Sequence, residues 1–244
     1  MERPASSADL PRTDDVRPPV RYLLHSPLRH AAGALVRWRW SVELRGTERF
    51  PATGPVVVAA NHIGFLDGPL MAILSPRPVH ALTKREMFEG RTGVFLTMSG
   101  QIPIWRLAPD PAALRTALRL LRQGDVVGVF PEGRRGAGLV HRAEGGAAWL
   151  ALAAGASVVP LSMLGTRDVG GSINSVPAPG TRMVMSYGAP LMFPQQGWPR
   201  RRDDVRAATK QIRRALLATM REAEEATGLR LPGPIPPTDQ KEQL

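Results

Sequence analysis

An imidazole and a carboxylate stand five positions apart in Asn61-His62-Ile63-Gly64-Phe65-Leu66-Asp67, directly after the apolar run Pro55–Ala60. Pairing with a carboxylate fixes the tautomer and orientation of a histidine ring and raises its basicity, as a general base requires. On a continuous helix, positions i and i+5 point about 140° apart. The two side chains therefore meet only if His62 lies in a strand-to-helix turn and Asp67 within the first turns of the helix that follows. Cations recur at comparable places: Lys84 after Val79–Thr83, Arg106 after Gln101–Trp105, and Arg134 and Arg135 after Pro131-Glu132-Gly133. A histidine–acid pair beside such cations suits deprotonation of a hydroxyl next to a phosphate-bearing group.

The elements that must carry these residues alternate between apolar runs and periodic stretches. Pro55–Ala60, Val79–Thr83, Asp125–Phe130, Ser157–Met163 and Arg182–Tyr187 read as strands, with Pro160 suggesting an edge or a bulge. Gly68–Leu74, Thr92–Met98, Asp110–Gly124, Gly146–Ala154 and a long final helix capped by Asp203 or Asp204 read as helices. That alternation predicts an α/β fold with a mostly parallel sheet flanked by helices. In such a sheet, ligands bind outside the carboxyl ends of the strands, so separate strands can deliver the polar clusters to one crevice.

Before the first strand, Ser26-Pro27 reads as a helix start, and Leu28, Ala31, Leu35 and Trp38 recur at helical spacing. Arg21, Arg29, Arg37, Arg39 and Arg45 surround them, with Trp40 nearby. Residues 21–45 are thus an expected N-terminal amphipathic helix, either lying in an anionic membrane surface or packed on the domain. Residues 1–20, rich in proline, serine and aspartate, read as a disordered arm, and 229–244 as a flexible tail.

Composition narrows the partners. The 244 residues carry 32 Lys and Arg against 21 Asp and Glu, a formal charge of +11 that favours anionic partners. With no cysteine, thiol nucleophiles, disulfides and cysteine zinc sites are excluded, and no histidine spacing indicates a metal. No apolar run approaches the ~18 residues that span a bilayer. No nucleic-acid-binding module is recognisable.

Four blocks together resemble the 1-acylglycerol-3-phosphate acyltransferase (PlsC-like) family. Asn61-His62 to Asp67 is similar to its Asn-His-x-x-x-x-Asp signature. Lys84-Arg85-Glu86-Met87-Phe88, with Gly100-Gln101-Ile102-Pro103-Ile104-Trp105-Arg106 downstream, is similar to the second block. Phe130-Pro131-Glu132-Gly133-Arg134-Arg135 is similar to the third, usually Phe-Pro-Glu-Gly-Thr-Arg-Ser, and Val158-Val159-Pro160-Leu161 to the fourth. The chain departs from the pattern at Gly64, usually a small polar residue, and at Arg134 and Gly136, usually Thr and Ser.

The resemblance implies a glycerol-3-phosphate acyltransferase-like fold, with residues 46–228 as the acyltransferase domain. It implies His62 as general base and Asp67 as its orienting partner. Asn61, Lys84, Arg106, Glu132, Gly133, Arg134 and Arg135 would bind substrate, the cations holding a phosphate and Gly133 allowing close approach of the backbone. The expected reaction transfers an acyl group from acyl-CoA or acyl-carrier protein to a lysophospholipid, 1-acylglycerol-3-phosphate first among them, without cofactor or metal. The expected location is peripheral, on the cytoplasmic face of an anionic membrane. Two alternatives stay open: another lysolipid or lipid-linked acceptor, and a non-catalytic binder of anionic lipid.

Overall fold

A computed structural model describes residues 11–240 except Arg21, Leu107 and Trp198. The first half of the expected arm, residues 1–10, lies outside the described residues, as do 241–244 of the tail. The strands are β1 (Ser41–Arg45), β2 (Val56–Ala60), β3 (Val79–Lys84), β4 (Ile102–Ile104), β5 (Val126–Val129), β6 (Ser157–Leu164) and β7 (Arg182–Tyr187). They form one seven-stranded sheet ordered β1-β7-β6-β2-β5-β3-β4. Only the β6–β7 pairing is antiparallel. The helices are α1 (Leu28–Arg39), α2 (Asp67–Leu74), α3 (Gly90–Met98), α4 (Pro111–Arg122), α5 (Gly146–Ala154), α6 (Arg202–Thr227) and α7 (Pro237–Gln240).

Central strands β2 and β5 are apolar throughout, and β6 is apolar but for Ser157 and Ser162, because both faces are covered. Side chains alternate between faces, so Val57, Ala59, Val127, Val129 and Val158 meet α4, α5 and α6. Val56, Val58, Ala60, Val126, Val159 and Leu161 meet α2 on the other face. Helix starts follow their local chemistry. Asp110 accepts a hydrogen bond from Ala113 N with Pro111 just inside α4, while Gly155 and Gly228 end α5 and α6 at positive φ.

Several expectations are corrected. The N-terminal helix stops at Arg39, and residues 41–45 form edge strand β1, paired in parallel with β7. Val42 and Leu44 pack on the core while Glu43 engages Arg45 and Arg182, an alternation that suits a strand. Pro160 lies in central strand β6, not at an edge. On the β7 side, pairing slips by one residue between Leu161–Tyr187 and the Val158–Leu191 bridge, so the missing N–H of Pro160 falls at a bulge in the ladder. Its carbonyl accepts from Gly188 N at 2.9 Å. Asp203 and Asp204 do not cap α6. They sit in its first turn, where carboxylates favour the helix dipole.

The arm and tail are docked where described. Arg119 donates to the carbonyls of Thr13 and Val16, and Arg115 pairs with Asp15 at 2.5 Å, so residues 13–16 lie along basic α4. Leu231 of the tail packs with Val140, Leu216 and Met220.

Helix α1 turns the face opposite to its sequence stripe toward the domain. Buried Gly33 lies against Leu74 and Ile73, and Val36 joins the core. Arg29 donates to the carbonyls of Ala72 and Ser75 at the end of α2. Burial holds the Arg29 guanidinium below its ordinary pKa. The expected apolar stripe faces outward, with Leu28 60%, Leu35 62% and Trp38 80% exposed.

Candidate active site

The carboxyl ends of β2, β5 and β6 lie side by side, and the segments that leave them build the site. β2 ends at Ala60, and Asn61 follows fully buried. Its amide donates to Met163 O at 3.0 Å and accepts from Met163 N at 2.7 Å. Asn61 therefore ties the end of β2 to β6. Its expected substrate contact is corrected on that ground, since both ends of the amide are occupied and no part of it is accessible.

His62 sits in the turn and Asp67 is the first residue of α2, with Nδ1 and Oδ2 2.8 Å apart. Oδ2 also accepts from Ile63 N at 2.6 Å and Gly64 N at 2.9 Å, and Oδ1 accepts from Thr166 Oγ1. One carboxylate thus shapes the turn and orients the ring together. Pairing at Nδ1 leaves Nε2 as the nitrogen able to take a proton. The imidazole stacks on Phe130 at 3.9 Å between centroids and stays 18% exposed, whereas Asp67 is wholly buried. Gly64 is explained sterically: a Cβ there would stand 2.4 Å from Thr166 O.

The loop after β5 wraps this turn. Glu132 accepts from His62 N at 3.1 Å and from Val140 N at 3.3 Å, and His62 O accepts from Gly136 N at 2.8 Å. Burial pushes the Glu132 carboxyl above its ordinary pKa, opposed in part by these two N–H donors. Glu132 thereby acts on the histidine turn. Gly133 serves the loop through its φ of +70, and a Cβ there would meet no protein atom within 4 Å.

The expected cations gather at this edge to different degrees. Arg106 donates to Gly133 O at 3.0 Å, joining the end of β4 to the Glu132 loop. Arg134 is exposed on the same loop. Arg135 turns to the neighbouring loop, donating to Ile173 O and Asn174 Oδ1, each at 2.8 Å. Lys84 closes β3, half-exposed, with Glu86 at 3.9 Å.

Two residues escaped the sequence reading. Thr166 and Arg167 follow β6, at the same sheet end as the other clusters, and that position was the available signal. Arg167 is 2% exposed and donates to Ile63 O, Gly136 O, Gly171 O and Gly233 O. It knits the histidine turn, the Glu132 loop and the tail into one body. Burial lowers its pKa, while Asp239 and Asp67 oppose that shift.

With this geometry in view, residues 41–164 match the family model described as Acyltransferase. The chain belongs to the acyltransferase family. It is similar to the 1-acyl-sn-glycerol-3-phosphate acyltransferase of Bacillus subtilis, with 31% identity over 108 residues, covering 43% of this chain and 54% of that protein. It is also similar to the alpha enzyme of the same name from Ovis aries, with 35% identity over 134 residues, covering 52% of this chain and 46% of that protein. The chain thus spans about half the length of these curated relatives. The fold is shared with the crystal structure of the 1-acyl-sn-glycerophosphate acyltransferase PlsC from Thermotoga maritima. The TM-score is 0.60 at 21% identity, over 81% of this chain and 77% of that one.

Proposed function

We propose that this acyltransferase moves a fatty acyl group from a thioester donor to the free hydroxyl of 1-acylglycerol-3-phosphate, with His62 as general base. The observation that carries the proposal is the 2.8 Å contact between His62 Nδ1 and buried Asp67, with Nε2 left for a substrate proton. In the proposed step, Nε2 takes the hydroxyl proton as the oxygen attacks the thioester carbonyl. The tetrahedral intermediate collapses to the ester, the C–S bond breaks, and the imidazolium returns the proton to the thiolate. Asp67 holds the ring and balances the imidazolium charge. No covalent acyl-enzyme is required, consistent with a chain that lacks cysteine.

Arg106, Arg134, Arg135 and Lys84 are proposed to receive the acceptor phosphate at the rim of the site, where guanidinium groups suit two-pronged contacts. The charge of +11 favours both donor types, acyl-CoA and acyl-carrier protein. The test is thioester release measured across a panel of lysolipids with each donor. We expect the highest turnover with 1-acylglycerol-3-phosphate, and a loss of about 10²- to 10⁴-fold in His62→Ala with the fold retained. Near-normal turnover in that variant would sink the mechanism, and a different preferred headgroup would redirect the acceptor assignment. Salt-sensitive lipid binding without thioester consumption would make the chain a non-catalytic lipid binder.

Peripheral attachment to the cytoplasmic face of an anionic membrane belongs to the same proposal. It is supported by the outward Leu28, Leu35 and Trp38 of α1, flanked by exposed Arg37. Replacing all three apolar residues with serine should weaken flotation with anionic liposomes and leave thermal stability within ~0.5 kcal/mol. Unchanged flotation would remove α1 from that role.

A further inference from the structure

A second histidine–carboxylate grouping lies at the opposite end of the sheet. His25 comes from the turn before α1, His80 is the second residue of β3, and Asp125 immediately precedes β5. Each offers one ligand-type atom, and these atoms lie within 4.8 Å of one another. It is the one such grouping of three or more among the described residues. The β2–β5 register aligns Val56 with Val126, which puts Asp125 level with Pro55. His62 is therefore roughly 20 Å away along the strand direction, at ~3.3 Å per residue.

We propose that His25, His80 and Asp125 form a structural site for a divalent transition metal of the zinc class. The ion would fasten the N-terminal segment that carries α1 to the sheet.

Three independent features support the assignment. The donor set is two imidazoles and a carboxylate without thiolate, which suits a borderline ion with three protein ligands. The tautomer is also fixed. His80 Nδ1 lies 2.7 Å from Gly100 O, and a carbonyl can only accept, so Nδ1 carries a proton and the neutral ring has its lone pair on Nε2. A ligating histidine is commonly held by such a bond from its other nitrogen to a backbone carbonyl. Gly100, at φ +66, makes that bond possible, since a Cβ there would press to 2.9 Å from His80 Nδ1.

The third feature is position. His80 is wholly buried and His25 exposed, with their rings stacked at 5.8 Å and 27°. A modest closure brings three ligand atoms within 4.8 Å of each other onto one ion at ~2.0–2.2 Å from each. His25 lies between the Leu23 N–Met98 O hydrogen bond and the start of α1, so an ion would join the N-terminal segment to β3 and β5. Arg77 feels the charge of Asp125 and its guanidinium is engaged by the carbonyls of Pro51, Gly54 and Gly124. The ion must therefore compete with a nearby cation.

The full chain, stripped with chelator and dialysed, would be titrated with Zn2+ by calorimetry and weighed by native mass spectrometry. Amide hydrogen exchange would be followed over residues 22–30. We expect one Zn2+ bound per chain, slower exchange in that segment, and a visible d–d band when Co2+ replaces Zn2+. His25→Ala, an exposed change that does not threaten folding, should weaken binding at least about tenfold and abolish the exchange effect. Asp125→Asn should weaken binding similarly, and His141→Ala, outside the cluster, should not. No saturable Zn2+ binding would overturn the proposal, as would wild-type affinity retained in both His25→Ala and Asp125→Asn. None of these readouts depends on acyl transfer, so the site stands or falls apart from the proposed activity.

Discussion

His62 and His80 belong to the same sheet, and each commits Nδ1 to a short hydrogen bond, yet their surroundings prepare them for different work. His62 pairs with a carboxylate at 2.8 Å and remains 18% exposed against Phe130. His80 pairs with a backbone carbonyl at 2.7 Å and is completely buried. A carboxylate partner fixes the ring and balances the charge of an imidazolium formed during proton transfer. A carbonyl partner fixes the same tautomer while adding no charge of its own, and the His80 ligand atom lies within 4.8 Å of those of His25 and Asp125. One partner separates a candidate base from a candidate ligand.

The sharpest way to break this comparison is to neutralise the partner of His62. Asp67→Asn should lower turnover by about 10²- to 10⁴-fold, because an amide stabilises no imidazolium and can favour the wrong tautomer. Steady-state thioester release on folded protein checks it, and a loss below about tenfold would mean that the carboxylate serves only the turn.

Next comes the scaffold. Arg167→Met leaves the carbonyls of Ile63, Gly136, Gly171 and Gly233 without their donor. Destabilisation of about 2–4 kcal/mol is expected in urea unfolding, together with reduced kcat as the two loops loosen. A pure stability loss, with turnover per folded molecule unchanged, would show that the loops hold their geometry without it.

A matched pair of glycine variants tests whether the two sheet ends are functionally separate. In Gly64→Ala the new Cβ would meet Thr166 O at 2.4 Å, and in Gly100→Ala it would meet Val20 O at 2.7 Å. Both should cost about 1–3 kcal/mol by thermal unfolding. Only Gly64→Ala should also lower turnover of the folded fraction, because it moves the His62 turn. Equal losses of turnover would couple the two ends and dissolve the distinction.

The smallest effect is electrostatic. Glu132 has its folded pKa raised above the ordinary 4.5, so the folded chain holds that proton more tightly than the unfolded chain. Its contribution to stability therefore falls as pH rises from 4.5 to the raised value, by at most ~1.4 kcal/mol per unit, and is level above it. Glu132→Gln removes that slope. The stability difference between wild type and variant, measured across this window, should move against the wild type as pH rises. A difference that does not change with pH would show that Glu132 carries no raised pKa.

Legibility followed sequence distance. The buried runs that became β2, β5 and β6 were readable because burial on both faces makes nearly every position apolar, Ser157 and Ser162 of β6 excepted. Short edge strand β1 was not, because with charged Glu43 and Arg45 alternating with Val42 and Leu44 it resembles the continuation of a cationic helix. Pro160 pointed to an edge or a bulge, and it marks a bulge: pairing slips by one residue between Leu161–Tyr187 and Val158–Leu191. In the site, His62 and Asp67 were legible because they share one turn. Thr166 and Arg167 were not, because their partners lie 99 and 104 residues away.

The sequence by itself determined the α/β alternation, the strand-end position of His62, Lys84 and Glu132, and the demand that His62 precede the helix that Asp67 begins. These follow from local periodicity and from short-range geometry that a chain cannot escape. Tertiary structure alone decided that Asn61 bridges strands, that Arg167 binds three segments together, and that Leu28, Leu35 and Trp38 face outward. It alone brought His25, His80 and Asp125 together. Each of those outcomes depends on which distant segment covers a given face, and spacing along a chain carries no record of that.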